Sequence, residues 1–157
     1  MGMTEHHSTS GRLTLELHDA AGRLVARRRA DNLITTAGRR LLAQLFTGQA
    51  QGPALAIAVG SAATAPKPED SALGSRVDAA PAAITKMDVL VQDGVPRVLA
   101  SVSATFPAGG GAAQALQEAG IEITLPGQAP VLYNHVSFPV ITRAGNLAMT
   151  LTWEVYF

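Results

Sequence analysis

Cysteine is missing from all 157 residues, which excludes disulfides and thiolate metal sites and leaves the redox compartment unread. Charge is scarce as well: Asp, Glu, Lys and Arg make up 15% of the chain, against roughly 25% in ordinary soluble domains. Twelve basic and twelve acidic side chains cancel, so no global field gathers nucleic acid, anionic membrane or a charged substrate. No apolar run approaches the roughly 18 residues that cross a bilayer. The polar start, Met1 to Ser10, lacks the apolar middle of a signal peptide. A soluble protein made in the cytoplasm, with no membrane role, is therefore expected. With so little charge, much of the exterior must be neutral, which suits a surface covered by partner subunits.

What the chain does contain is alternation. Leu13, Leu15 and Leu17 alternate with polar residues, Asp19 to Gly22 signals a turn, and Leu24 to Arg29 returns, predicting a hairpin over residues 11–30. Residues 1–10 precede it as a flexible arm. A helix is predicted over residues 36–47, with Thr35 or Thr36 as N-cap and Gly48 as its stop; Leu41, Leu42, Leu45 and Phe46 form its apolar face. Ala54 to Val59 reads as a strand. The alanine- and proline-rich stretch 61–83 reads as a long loop with one helical turn around Glu69 to Leu73. Strands follow over Ile84 to Gln92 and Arg97 to Phe106, joined by the turn Asp93-Gly94. Gly109-Gly110-Gly111 is a connection, and Ala112 to Ala119 reads as a second short helix stopped by Gly120. Ile121 to Leu125, Val131 to Val140 and Leu147 to Phe157 are strands, the last alternating without a break so that Trp153 points inward. The expected fold is mainly β: an antiparallel β-sandwich of about eight strands, with one or two short helices packed on it, in a single domain over residues 11–157.

Groups able to do chemistry are few. Histidine occurs at positions 6, 7, 18 and 135; the first two lie in the arm without fixed ligand geometry, and His18 at a turn and His135 inside a strand read as ordinary hydrogen-bonded or partly exposed residues. Glu69-Asp70 reads as a solvated loop pair, and Glu118 and Glu122 as flanking a helix end. No serine has the surroundings of a nucleophile elbow, and the glycine triplet lacks the lysine and hydroxyl residue of a phosphate loop. Neither catalytic residues, cofactor, metal nor small-molecule substrate is expected. Arg27, Arg28, Arg29, Arg39 and Arg40 form the one basic concentration. With zero net charge and few aromatics to stack bases, they are read as candidate contacts to carboxylates of a neighbouring subunit rather than to nucleic acid.

Two stretches carry a resemblance. The first is Asn32-Leu33-Ile34-Thr35-Thr36-Ala37-Gly38 with its helix, then Ala56-Ile57-Ala58-Val59-Gly60, then Thr64-Ala65-Pro66 to Asp70-Ser71-Ala72-Leu73. The second is Gln117-Glu118-Ala119-Gly120-Ile121, Asn134 to Pro139 and the closing Leu151 to Phe157. In type and order these are similar to small structural proteins of tailed-phage virions and phage-tail-like contractile injection particles. The hairpin from Arg12 to Arg29 has no counterpart in that pattern. The resemblance implies a non-enzymatic subunit of a tail, baseplate, fibre base or capsid surface, built into a particle in the bacterial cytoplasm. Its partners would be copies of itself, with trimers or hexamers expected in isolation, and other particle proteins. The alternative is a glycan- or receptor-binding module of a tail fibre, for which Trp153, Tyr133 and Tyr156 are the available aromatic platforms.

Overall fold

The structure, a computed structural model, describes residues 9–157; the expectations for residues 1–8, including His6 and His7, lie outside them. Eleven strands and one helix are present among the described residues: β1 (Ser10–His18), β2 (Leu24–Asp31), β3 (Leu33–Ile34), α1 (Thr36–Phe46), β4 (Ala54–Gly60), β5 (Arg76–Pro81), β6 (Ala83–Gln92), β7 (Val95–Phe106), β8 (Gln114–Thr124), β9 (Val131–Leu132), β10 (Asn134–Arg143) and β11 (Ala148–Tyr156). They form two antiparallel sheets. One runs in the order β2-β1-β11-β7-β6, the other β3-β10-β8-β4-β5 with β9 paired to β8.

Strict alternation in β11 sets the first sheet. Trp153, Leu151 and Met149 are completely buried, and each sits in a row across three strands: Leu13, Trp153 and Val102; Leu15, Leu151 and Ala104; Leu17, Met149 and Phe106. Large residues meet smaller ones in the first two rows, so the inward face fills without overpacking. Each fully buried Leu, Met or Trp in such a row contributes roughly 1.5–3 kcal/mol of apolar transfer energy. From the second sheet Ile57, Val59, Leu116, Ala119, Ile121, Val136 and Phe138 join the same cluster. The sheets also meet at their margins, β2 against β10 and β5 against β7.

The helix lies where expected, capped by the Thr35 hydroxyl, which accepts from the Gly38 amide at 2.9 Å. Its apolar face is narrower than the sequence implied: Leu41 is buried and Leu42 and Leu45 pack on the core, but Phe46 is 93% exposed. One residue beyond Leu45, it stands about 100° further round the helix, past the edge of the contact. Asp93 and Gly94 both take positive φ, 52° and 77°, as a two-residue hairpin between twisted strands requires.

Several expectations need correcting. The described residues hold eleven strands rather than about eight, and the run Val131 to Val140 is two strands, β9 and β10, broken at Tyr133. Ser10 belongs to β1, not to the arm, pairing with Tyr156. The loop 61–83 ends earlier, because Arg76–Pro81 is a strand paired to β4; Pro81 is its last residue on a sheet edge, where no ladder donor is needed. No helical turn follows Glu69; Pro68 and Glu69 form a turn closed by the Asp70 amide on the Lys67 carbonyl. Ala112 to Ala119 is not a helix. Gln114–Thr124 is one long strand clasped between β4 and β10. Its Ala, Gln, Leu and Glu content favours a helix by only tenths of a kcal/mol per residue, less than two ladders of hydrogen bonds and burial on both faces supply.

Candidate functional site

The outer face of the second sheet is where polar side chains gather. Along β8, Ala119, Ile121 and Ile123 join the core cluster, so Glu118, Gly120 and Glu122 face the other way. The segment from Ser61 to Ser75 covers that face. It lies close because the bed beneath it is small: Ala58 and Gly120 sit side by side on β4 and β8, and Leu73 and Leu132 pack on Ala58 as a minor core. A Cβ on Gly120 would fall 2.5 Å from both the Asn134 carbonyl oxygen and a Leu132 methyl, and one on Gly60 would fall 2.5 Å from the Ser75 carbonyl. From the sequence, Gly120 reads as the stop of a helix. Neither glycine has positive φ; both are needed for close approach.

Glu118 is the centre of this arrangement and is completely buried. Its Oε1 accepts the amides of Ser75 at 2.7 Å and Ala62 at 3.2 Å, and its Oε2 accepts the Gly74 amide at 3.0 Å. His135, 2% exposed, brings Nε2 to 2.8 Å from Glu118 Oε2 and Nδ1 to 2.7 Å from Asp70 Oδ2. Asp70 Oδ2 also accepts the Lys67 amide at 2.8 Å. The Asp70 carboxyl is held below its ordinary value of 3.8: burial alone would raise it, but the Lys67 amide and His135 outweigh that. Nearby, Glu122 forms a two-point ion pair with Arg76 at 2.8 and 3.0 Å.

An imidazole between two carboxylates invites an acid–base reading, and the geometry argues against it. A catalytic histidine needs one ring nitrogen free to face a substrate or nucleophile. Here both nitrogens face carboxylate oxygens, and Glu118 is already occupied by three backbone amides. What the cluster does is satisfy the amides that a strand-free segment turns toward the sheet it lies on.

A second polar group lies on the core side. Asn32 Oδ1 accepts Trp153 Nε1 at 2.6 Å and Asn134 Nδ2 at 3.3 Å, while Asn134 Oδ1 accepts the Ile121 amide at 2.7 Å. Thr35 donates to the carbonyls of Leu132 and Tyr133. Asn32 and Thr35 thus tie the entry of α1 to β9 and β10. The Tyr133 hydroxyl is buried without a partner, and burial pushes its pKa up to about 12.

Of the two ordinary readings of His135, hydrogen-bonded or partly exposed, the structure shows the first. Sequence reasoning missed that Glu118 and Asp70 would meet it, 17 and 65 residues away in the chain. The signal available was Asn134-His135, two adjacent polar residues between the apolar Val131-Leu132 and Val136. His18 stays at its hairpin, 3.7 Å from Glu16.

The five arginines do not form one surface patch. Arg27 pairs with Glu16 at 2.6 Å. Arg28 turns to the inner side, opposite Leu15, and donates to the carbonyls of Pro139 at 3.0 Å and Val140 at 2.8 Å, joining the margins of the two sheets. Arg29, Arg39 and Arg40 are exposed, the first on β2 and the others on α1. Arg143 stacks 5.7 Å over the Phe106 ring and donates to the Pro107 carbonyl at 2.6 Å. It lines an open crevice of about 430 Å³ with Asp78 and the Gly109–Gly111 loop. The Gly110 amide is used on the Gly145 carbonyl, and Asp78 would repel an anion there.

Among the described residues no three His, Asp or Glu are placed to hold a metal ion, and no helix is long and apolar enough to cross a membrane. Comparison with protein-family models, with curated proteins and with solved structures finds no match to this chain.

Proposed function

We propose that the two sheets pack face to face as a β-sandwich, and that the protein is a non-enzymatic structural subunit of a phage virion or phage-tail-like particle, acting through subunit contacts. The observation that carries this reading is the division of labour among its side chains. The buried groups capable of chemistry, Glu118, His135 and Asp70, are spent on holding the chain's own loop, while a run of large apolar side chains on β6 faces water. A protein with its polar chemistry turned inward and its adhesion turned outward is suited to docking. The ordered motifs support the particle assignment: Asn32, Thr35, Asp70, Glu118, Asn134 and His135, far apart in sequence, meet in two contiguous networks that specify a fold rather than a reaction.

A glycan-binding reading draws less support. Trp153 and Tyr133 are buried, which leaves Tyr156 without the flat aromatic platform that sugars stack upon. The assignment is tested by gene neighbourhood and by mass spectrometry of purified particles. Tube, sheath or baseplate genes beside this one, and the chain in the particle, are the expected result; a neighbourhood of metabolic genes with no particle would overturn it.

A further inference from the structure

β6 is the outermost strand of the first sheet. Its residues pair with β7 so that Ile84 stands opposite Val102, Met87 opposite Ala100, Val89 opposite Val98 and Val91 opposite Pro96. Ala100 and Val102 are buried in the core, and directly opposed residues of an antiparallel pair share a face. Ile84, Met87, Val89 and Val91 therefore continue the core-facing side of the sheet. Yet Met87, Val89 and Val91 are 65%, 69% and 70% exposed. The reason is topological: the outermost strand of the second sheet, β5, packs against β7, so β6 extends past it and its inner face has no layer opposite.

Phe157 lengthens this face. Its backbone exchanges two hydrogen bonds with Val98, which puts its half-exposed ring beside Val98 on the same side. The stripe runs into an apolar groove of about 220 Å³ where Leu42 and Leu45 of α1 approach Ile84, Met87 and Phe157. The charged pair of the strand, Lys86 and Asp88, 3.7 Å apart, is not on this face.

We infer that this face is the contact between two copies of the chain, related by a two-fold axis, each β6–β7 hairpin supplying the missing layer over the other. The inference rests on reading the protein as an assembly subunit and names its first partner. Three observations select a second copy. The uncovered face needs a flat apolar β surface opposite it, and the remaining large exposed apolar residues, such as Leu24, Val25, Phe46, Val77 and Val140, lie scattered on other elements; the matching surface among the described residues is this same one. Self-matching surfaces close with two-fold symmetry. Ile84, Met87, Val89, Val91, Val98 and Phe157 leave on the order of 600 Å² of apolar surface in water, most of the roughly 800 Å² that each partner of a stable complex buries. Finally, the face is uncharged and the chain has no net charge, so two copies approach without repulsion.

The test is light scattering of the full chain from about 1 to 100 µM, with Val89→Lys and Gln92→Lys as paired variants. Gln92 is exposed on the other face of the same strand. The native chain and Gln92→Lys are expected at about twice the 16.2 kDa of one chain. Val89→Lys is expected at a single mass, its association weakened at least about a hundredfold by a buried unpaired charge, with an unchanged circular dichroism spectrum and a melting temperature that, unlike the native chain's, does not rise with concentration. A native chain monomeric at 100 µM, a Val89→Lys variant that still pairs, or a mass of three chains would overturn the two-fold contact, whereas a hexamer that Val89→Lys splits into trimers would keep it. Gene neighbourhood separates the two proposals: a monomer beside tail genes removes this contact and keeps the particle assignment, whereas a two-fold pair without such genes does the reverse.

Discussion

Replacing Glu118 by glutamine exchanges one oxygen for an amide nitrogen and should release a whole loop. In the native chain each carboxylate oxygen faces two donors: Oε1 takes the amides of Ala62 and Ser75, and Oε2 takes the Gly74 amide and His135 Nε2. The glutamine amide keeps one acceptor and turns its own donor group on the other pair. If the NH₂ faces Ala62 and Ser75, two backbone amides are orphaned. If it faces Gly74 and His135, the ring can accept as the neutral form, but the Gly74 amide is still lost. An unsatisfied buried donor costs about 1–3 kcal/mol, and loss of the charge-assisted bonds adds to it. A total near 3 kcal/mol corresponds to a melting temperature lowered by about 6–12 °C in a chain of this length. Amide hydrogen exchange locates the damage. Ala62, Gly74 and Ser75 should exchange about a hundredfold faster, ahead of the strand amides around Trp153, because the segment opens locally before the sheets do. Glu122→Gln is the control. Its partner is the half-exposed Arg76 side chain and not the amides of Ala62, Gly74 and Ser75, so exchange of those three amides should stay unchanged whatever the variant's melting temperature. A Glu118→Gln chain that melts within about 2 °C of the native protein, with unchanged exchange between Ser61 and Ser75, would refute the view that this carboxylate holds the loop.

Three further outcomes follow from the same contacts. Because the Asp70 carboxyl is held below its ordinary 3.8 in the folded chain, its contribution is fully present above that value and is lost as pH falls through the lower folded value; acid titration followed by exchange should show the segment between Ser61 and Ser75 opening before the sheets, and Asp70→Asn should abolish that early step. Tyr133→Phe removes a buried hydroxyl that has no partner, so calorimetry should find the variant unchanged or up to about 1 kcal/mol more stable. Arg28→Ala removes both donors to β10 and should cost about 1–2 kcal/mol in denaturant unfolding, with faster exchange along β2; an unaltered β2 would show that the sheet margins are held by apolar packing alone.

How much of this was legible depends on the range over which each signal acts. β1, β2, α1, β7 and β11 announce themselves locally, by alternation, by the Thr35 cap and by the Asp93-Gly94 turn. β8 does not, because its residues are good helix formers and what makes it a strand is the presence of β4 and β10 on either side, partners supplied by distant chain. β5 was hidden among alanines and prolines whose small size, misread as loop composition, lets an edge strand lie on β4. The site fared worse for the same reason. His135 could be read as an ordinary strand histidine, hydrogen-bonded or partly exposed, but that its two partners are Glu118 and Asp70 is a fact of sheet register and loop path. Alternation along a strand lets at most two of the three adjacent arginines share a surface. The structure turns the middle one, Arg28, inward to bond carbonyls of β10 while Arg27 pairs with Glu16; that Arg28 meets backbone rather than a carboxylate was not legible.

The placement of these features bears on how such a chain can act. A segment without strand pairing can cover a sheet only where acceptors wait for its amides, and the cluster of Glu118, His135 and Asp70 provides them at one end of the second sheet. That seals the outer face there with satisfied polar groups, which gives another protein little reason to displace the cover. At the far margin of the first sheet the opposite holds: Met87, Val89 and Val91 have the polarity of core residues and the exposure of surface ones. Leaving them in water forfeits apolar burial worth about 1–2 kcal/mol each, and a long apolar edge strand invites uncontrolled association. In the proposed two-fold contact each β6 would cover the other, and the exposure of Met87, Val89 and Val91 in the isolated chain would be offset by that burial.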